Sequence, residues 1–153
     1  MSPKIGHAHI KVRELNRAVA FYQRHVGLSV QERIGERFVF MTGGDMHHEL
    51  ALQDVGPAAP VPPAFGTGLF HVAFEVPSKV ELAARYKRLR DDGIPVATVD
   101  HRISWAIYFS DPDGNGLELY CDTRAEPDGV DLWEGVDRPL EPARLLSLLE
   151  GRG

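Results

Sequence analysis

The sequence is poor in the features that mark secreted, membrane or nucleic-acid-binding proteins. Its 153 residues include one cysteine, Cys121, so no disulfide can form within the chain and we expect a reducing cytoplasm. No apolar run approaches the length that crosses a bilayer, and residues 1–11 lack the apolar core of a signal peptide. The net charge is −5 and the basic residues are scattered, which argues against nucleic acid or a membrane as a partner. An ordinary globular protein remains, long enough for one domain or two small repeats.

The chain consists of two similar halves. Residues 6–30 and 70–96 each contain a histidine that begins a period-two alternation, followed by helical spacing that ends at a glycine. Ser78 and Glu81 form a capping box at the start of the second helix. Three β-type runs follow each helix, with turn residues between them, so the sequence predicts a βαβββ unit repeated twice. The predicted runs cover residues 29–33, 37–42 and 47–53 in the first half, and 96–100, 105–110 and 116–121 in the second.

The repeat predicts the domain organisation. Module one spans residues 5–55, module two spans 68–123, and a proline-rich linker at 56–63 joins them into a domain over 1–123. One such unit buries too little apolar surface to be stable alone. We therefore predict an α+β fold in which two βαβββ modules form a curved mixed sheet, a cup, with helices outside. Residues 124–153 form a tail with a short helix that covers a sheet edge or helix face, or reaches a partner subunit.

Two histidines and one glutamate stand out as candidate metal ligands. His7 and His71 begin the first strand of each module, and the apolar residues that alternate with them should face the helices. Both histidines are then expected on the open, concave face, although His9 has the same facing as His7 and also satisfies the spacing. Glu118 lies on the last predicted strand. Two neutral imidazoles and a carboxylate occupy three positions of a divalent ion and leave others open, as in non-haem iron(II) sites.

A second set of residues carries a resemblance to a known family. His101, Tyr108, the dipeptide Asp111-Pro112, Gly114 and Glu118 follow one another at spacings similar to the signature of extradiol ring-cleaving dioxygenases. These enzymes belong to the vicinal oxygen chelate superfamily, which also includes glyoxalase I, fosfomycin-modifying enzymes and metal-free drug-binding proteins. The resemblance covers about residues 5–123. His101 with Tyr108 is its more discriminating part, because the glutamate and the Asp-Pro turn recur throughout the superfamily.

The resemblance implies a role for each candidate residue. His7, His71 and Glu118 would bind the metal, with Fe(II) expected and Ni, Zn or Mn as alternatives. His101 and Tyr108 would hydrogen-bond the bound substrate or oxygen, since a histidine and a tyrosyl hydroxyl can stabilise a developing oxyanion. The implied activity is cleavage of a catecholic aromatic ring with O2 by an extradiol-type dioxygenase.

Two adjacent residues at the last strand of module one are alternatives for one position. Extradiol enzymes also carry an acid–base histidine, and no histidine stands at the matching position, so His48 is our candidate for that role. Glu49 competes with it, because HELAL at 48–52 resembles LELY at 117–120. Two glutamates would make a four-ligand site similar to that of glyoxalase I. Neighbouring strand residues point to opposite faces, so strand register decides whether His48 or Glu49 faces the metal.

The choice of function follows from these residues. We favour the dioxygenase because glyoxalase I would not need His101 or Tyr108. The alternatives are a glyoxalase I-like isomerase or lyase and a metal-free protein that binds a small drug-like molecule in the same cup. Proteins of the superfamily often dimerise so that modules of two chains complete a cup. We therefore expect a cytoplasmic homodimer whose small-molecule partners are an aromatic substrate and O2.

Overall fold

The computed structural model describes residues 2–150, which divide into two units. The first unit consists of the described residues up to Leu69 together with Asp111–Asn115. The second consists of Phe70–Ser110 and the described residues from Gly116 onward. Met1 and residues 151–153, the outermost parts of the predicted domain and tail, lie outside the described residues. None of the helices within 2–150 has the length and apolar character that a membrane span requires.

The first unit contains one sheet of four strands. Its elements in chain order are β1 (Ala8–Val12), α1 (Leu15–Phe21), a π-helical turn (Tyr22–Val26), β2 (Ser29–Ile34), β3 (Phe38–Thr42) and β4 (Leu50–Asp54). β1 pairs in parallel with β4, while β3 pairs antiparallel with β4 and with β2. The Glu14 carboxylate caps α1 by accepting the backbone N–H groups of Asn16 and Arg17. The buried faces of β1 and α1 are aliphatic, as their apolar periodicity requires.

The second unit repeats this arrangement and adds a strand. Its elements are β5 (Val72–Glu75), α2 (Lys79–Asp91), β6 (Ala97–Asp100), β7 (Ser104–Ser110), β8 (Gly116–Asp122), β9 (Arg138–Pro139) and α3 (Pro142–Ser147). β5 pairs in parallel with β8, and β7 lies antiparallel between β8 and β6. Ser78 Oγ accepts the N–H of Glu81 at 3.1 Å and so caps α2. The tail pairs β9 with the edge strand β6, and α3 packs against α2. In the second unit the tail thus covers a sheet edge and a helix face.

The predicted fold class is confirmed: the chain is α+β, with two βαβββ modules of mixed strands and a C-terminal helix. The strands are hydrogen-bonded as two sheets, one in each module, where the sequence predicts one curved sheet, because each ladder runs within its own module. β4 begins at Leu50, three residues later than predicted. The preceding residues form a loop in which the Thr42 hydroxyl bonds the carbonyls of Gly44 and Met46. The boundaries of the modules, linker and tail stay predictions.

The turn that begins at Asp111-Pro112 is held by hydrogen bonds within the first unit. The carboxylate of Asp111 accepts the backbone N–H groups of Asp113 and Asn115, each at 2.9 Å, which closes the turn. Its other oxygen accepts the side-chain amide of Asn115 at 2.8 Å and the hydroxyl of Tyr22 at 2.9 Å. Asp113 in turn forms an ion pair with Arg17 at 2.6 Å. These contacts fix the turn, so its presence alone does not identify an activity.

We expect the Tyr22→Phe variant to be less stable by about 1.5–3 kcal/mol at neutral pH. It removes a hydrogen bond to the buried Asp111 carboxylate and leaves that oxygen without its hydroxyl donor. Tyr120→Phe is the matched control, because the Tyr120 hydroxyl bonds an exposed carboxylate, that of Glu75. Urea denaturation of the two variants measures the difference, and equal losses would contradict the assignment.

Because of Tyr22, we expect the free energy of unfolding to fall at alkaline pH. Burial, and then the neighbouring Asp111 carboxylate, raise the pKa of Tyr22 above its ordinary value. The unfolded chain ionises this hydroxyl near pH 10, whereas the folded chain keeps it protonated. The stabilisation is therefore fully present below about pH 10 and is lost as the pH rises. Between about pH 9 and 11 the free energy of unfolding should fall more steeply in the wild type than in Tyr22→Phe.

Candidate active site

Glu118 lies at the centre of a polar cluster in the second unit. It stands on β8 between β5 and β7, with Ala73 beside it on one side and Tyr108 on the other. Its carboxylate is buried, and one oxygen lies 2.9 Å from Nε2 of His71. The other oxygen accepts the hydroxyl of Tyr108 at 3.1 Å. A histidine and a carboxylate with metal-ligand chemistry therefore meet at one point, and a tyrosyl hydroxyl stands next to them.

His101 extends this cluster on the far side of Tyr108. Nε2 of His101 lies 2.7 Å from the Tyr108 hydroxyl, so the two form a hydrogen bond whose donor depends on the tautomer of His101. Burial, and then the Glu118 carboxylate, raise the pKa of Tyr108 above its ordinary value. His71, Glu118, Tyr108 and His101, all predicted from the sequence, thus form one contiguous group.

Two residues of the tail complete the cluster, and the sequence analysis missed both. The carboxylate of Asp137 lies 2.5 Å from Nδ1 of His101, and the indole N–H of Trp133 donates to the same carboxylate oxygen at 2.8 Å. These two hydrogen bonds hold the pKa of Asp137 below its ordinary value. Neither residue belongs to a motif or a periodic pattern. A helical stripe in the tail is the sequence signal nearest to them, and it gives no hint of a site.

The backbone just before His71 passes very close to Gly116, the first residue of β8. A Cβ atom at this position would lie 2.3 Å from the carbonyl oxygen of Phe70 and 3.4 Å from Cβ of His71. No side chain can therefore stand here while the backbone before β5 keeps its place. The glycine permits the close approach that brings His71 to Glu118.

We expect Gly116→Ala to displace His71 and to lower stability by about 1–3 kcal/mol, the usual cost of overpacking. Gly44→Ala is the control, because a Cβ there meets only Oε1 of Glu49, at an ordinary contact distance of 3.5 Å. Thermal denaturation and the iron content of both variants measure the effect. Wild-type values for Gly116→Ala would show that the close approach has no role in placing the histidine.

In the first unit, His7 lies beside the histidine chosen as the acid–base candidate. The rings of His7 and His48 are 4.5 Å apart, and the ring of Phe40 lies 4.9 Å from that of His48. Burial, and then the imidazoles of His7 and His47, hold the pKa of His48 below its ordinary value. His9 instead packs its ring edge-on against Phe38, at 6.2 Å. His7 and His48 therefore share one location within this unit.

Glu49 has a different environment. Its carboxylate accepts the backbone N–H of Gly43 at 3.0 Å, so it is engaged with the preceding loop. Strand register also shows that Glu49 is not the structural counterpart of Glu118. Ala8 pairs with Leu50 as Val72 pairs with Leu117, which makes Ala51, one residue further along β4, the counterpart of Glu118. The resemblance of HELAL to LELY is thus offset from the structural repeat by two residues.

Within residues 2–150, neither unit by itself contains three or more histidine, cysteine, aspartate or glutamate side chains grouped to hold an ion. In the second unit, His71 and Glu118 form one histidine–carboxylate pair, and His101 and Asp137 form another. In the first unit, His7 and His48 are adjacent.

Comparison with known proteins identifies the family. Residues 4–119 match the family described as the Glyoxalase/Bleomycin resistance protein/Dioxygenase superfamily. The chain belongs to this superfamily. The crystal structure of lactoylglutathione lyase from Agrobacterium tumefaciens has the same fold, with a TM-score of 0.62 at 22% identity over 82% of this chain and 98% of that one.

Two curated proteins are similar to this chain in sequence. The chain is 36% identical over 118 residues to the catechol-2,3-dioxygenase of Bacillus subtilis (strain 168), which covers 77% of this chain and 41% of that protein. It is 32% identical over 130 residues to biphenyl-2,3-diol 1,2-dioxygenase 3 of Rhodococcus globerulus, which covers 84% and 68%. The chain thus spans less than half the length of the Bacillus protein.

Proposed function

We propose that this chain is an Fe(II)-dependent extradiol-type dioxygenase that cleaves a catecholic aromatic ring with O2. The hydrogen-bonded series Glu118, Tyr108 and His101 beside His71 is the observation that carries the proposal. An isomerase of the glyoxalase I type would have no need of this tyrosine and histidine. Two relatives are named for catechol and biphenyl-2,3-diol, which are both aromatic diols.

The donor set suits a divalent metal. Two ligand atoms about 2.1 Å from one ion, at right angles, lie about 3 Å apart. Nε2 of His71 and the nearer oxygen of Glu118 are 2.9 Å apart, which fits such a pair. His7 is the third ligand of the proposal, because it directly precedes β1 as His71 directly precedes β5. Iron is preferred since two imidazoles and a carboxylate are the ligands of oxygen-using iron(II) sites, with nickel, zinc and manganese as alternatives.

In this proposal the side chains around the metal orient the substrate and transfer protons. Bound by the ligands named above, the ion would supply open positions for a catechol and for O2. The Tyr108 hydroxyl lies within hydrogen-bonding distance of both Glu118 and His101, so it can donate to an oxygen of a substrate held beside Glu118. His101 takes up or returns a proton through Nε2. His48, next to His7 in the first unit, is proposed as the acid–base residue.

The geometry of Glu49 favours a dioxygenase over a glyoxalase I-like isomerase. A fourth ligand would have to leave its hydrogen bond with Gly43, and the buried Ala51 occupies the place that corresponds to Glu118. The proposal therefore keeps three protein ligands and leaves more of the ion open to substrate and oxygen.

Metal analysis and an activity assay test the proposal. Protein purified without oxygen should contain about one iron per chain. Addition of a catechol in air should consume O2 and form a yellow ring-opened product. Nickel or zinc with no oxygen uptake would favour the isomerase, and a catechol bound without any metal would favour the binding protein. Light scattering of the same sample tests the predicted homodimer.

A further inference from the structure

The tail reaches the proposed active site through strand pairing. β9 runs antiparallel to β6, with Arg138 opposite Asp100 and Pro139 opposite Val99. Extended by one residue, this register places Asp137 opposite His101. A tight turn lies just before it, since the N–H of Val136 donates to the carbonyl of Trp133 at 3.1 Å. The strand pairing and the turn therefore fix the backbone positions of Asp137 and Trp133.

The side chains form a directed set of hydrogen bonds. One oxygen of Asp137 faces both Nδ1 of His101 at 2.5 Å and the indole N–H of Trp133 at 2.8 Å. The Trp133 ring also meets the His101 ring at its edge, with centroids 5.6 Å apart. The side chain of His101 is 16% exposed, so these neighbours cover most of it. The imidazole is thus held by the tail on one side and faces Tyr108 on the other.

The chemistry of the partners determines which nitrogen carries the proton. An ionised carboxylate only accepts hydrogen bonds, so Nδ1 of His101 must be protonated to donate to Asp137. Nε2 is then the nitrogen whose proton can change, and it is the one that faces the Tyr108 hydroxyl. An imidazole with the opposite tautomer would place an unprotonated Nδ1 against the carboxylate and a fixed N–H toward Tyr108.

We propose that Asp137 is a positioning residue for His101, which keeps Nδ1 protonated so that Nε2 can exchange a proton with Tyr108, and that Trp133 orients Asp137. The consequence for turnover rests on the proposed dioxygenase function, whereas the consequence for the tautomer does not. The low pKa of Asp137 agrees with this role, because the carboxylate stays ionised and remains an acceptor.

The test compares Asp137→Ala with Asp137→Asn and with Asp131→Ala, an exposed aspartate of the same tail segment. Nitrogen-15 NMR of the imidazoles in the full chain without added iron reports the tautomer, and His101→Gln assigns its signals. We expect the wild type and Asp131→Ala to show His101 protonated at Nδ1, and Asp137→Ala to shift it toward protonation at Nε2. In the iron-loaded protein, Asp137→Ala should lower kcat by about 10- to 100-fold, with the iron content and the KM for catechol nearly unchanged.

The asparagine variant tests the part assigned to Trp133. Tryptophan is a donor only, so it should hold the amide oxygen of Asp137→Asn toward His101 and preserve the tautomer and most of the activity. Adding Trp133→Phe lets the amide turn its N–H2 group toward Nδ1, and the double variant should behave like Asp137→Ala. An Asp137→Asn variant as impaired as Asp137→Ala would overturn the role of the indole.

The outcomes separate this inference from the proposed function. An unchanged tautomer and kcat in Asp137→Ala, with an active wild type, would overturn the inference and leave the dioxygenase standing. A shifted tautomer in a protein without oxygenase activity would support the positioning role and reject the activity. A fall in kcat with an unchanged tautomer would overturn the inference as well.

Discussion

Replacing Glu118 with glutamine is expected to remove the metal and the turnover together. Glutamine keeps the size of the side chain and can still accept the Tyr108 hydroxyl, but it lacks the charge that a divalent ion requires. The loss of iron affinity should exceed about 100-fold, the upper range for losing only an outer hydrogen-bonding partner of a ligand. Iron bound per chain at limiting Fe(II), together with O2 uptake on adding a catechol, measures both effects.

The matched control for this variant is Glu75→Gln. Glu75 lies on β5 in the same sheet, and its exposed carboxylate bonds the hydroxyl of Tyr120. It should keep the wild-type iron content and activity, which shows that removing a charge from this sheet is harmless in itself. Full iron binding by Glu118→Gln would show that Glu118 is not a ligand.

Replacing His101 with glutamine is expected to spare the metal and to slow the reaction. His101 contacts Tyr108 rather than either proposed ligand of the second unit, so the iron content should be that of the wild type. Loss of a positioned acid–base group costs about 100- to 10,000-fold in rate, and we expect kcat to fall within that range. Steady-state O2 uptake at saturating catechol, normalised to bound iron, gives the value.

A second variant shows whether His101 and Tyr108 act as one unit. Tyr108→Phe should also lower kcat, and the double variant should be no worse than His101→Gln alone, since residues that act together are not additive. Losses that add in full would mean that the two side chains work independently. An unchanged kcat in His101→Gln would remove the main reason for preferring a dioxygenase.

Short-range pattern was sufficient to predict the order of helix and strands within the two βαβββ modules. The change from period-two alternation to helical spacing places β1 with α1 and β5 with α2, and Ser78 caps α2 as expected. Such signals arise within a few residues, where the backbone and its nearest side chains decide the conformation. The start of β4 was the exception, because the loop before it is held by contacts of Thr42 and Glu49 that no periodicity reveals.

Long-range register could not be read from the sequence. Glu49 and Glu118 lie in similar short stretches, yet the ladders make Ala51 the counterpart of Glu118, since register depends on the pairing of whole strands. The position of Asp137 could not be predicted from the sequence for the same reason. Its place beside His101 follows from the pairing of β9 with β6, and a two-residue strand has no sequence signal of its own.

The fate of the oxygen atoms tests the central claim most directly. Iron-loaded protein is mixed with a catechol under oxygen-18 gas, and O2 consumption is recorded. Mass spectrometry then gives the number of oxygen-18 atoms in the product. The proposed dioxygenase consumes one O2 for each catechol, and both labelled atoms appear in a ring-opened product. An unlabelled product, or a catechol recovered unchanged from protein that holds one iron per chain, would contradict it.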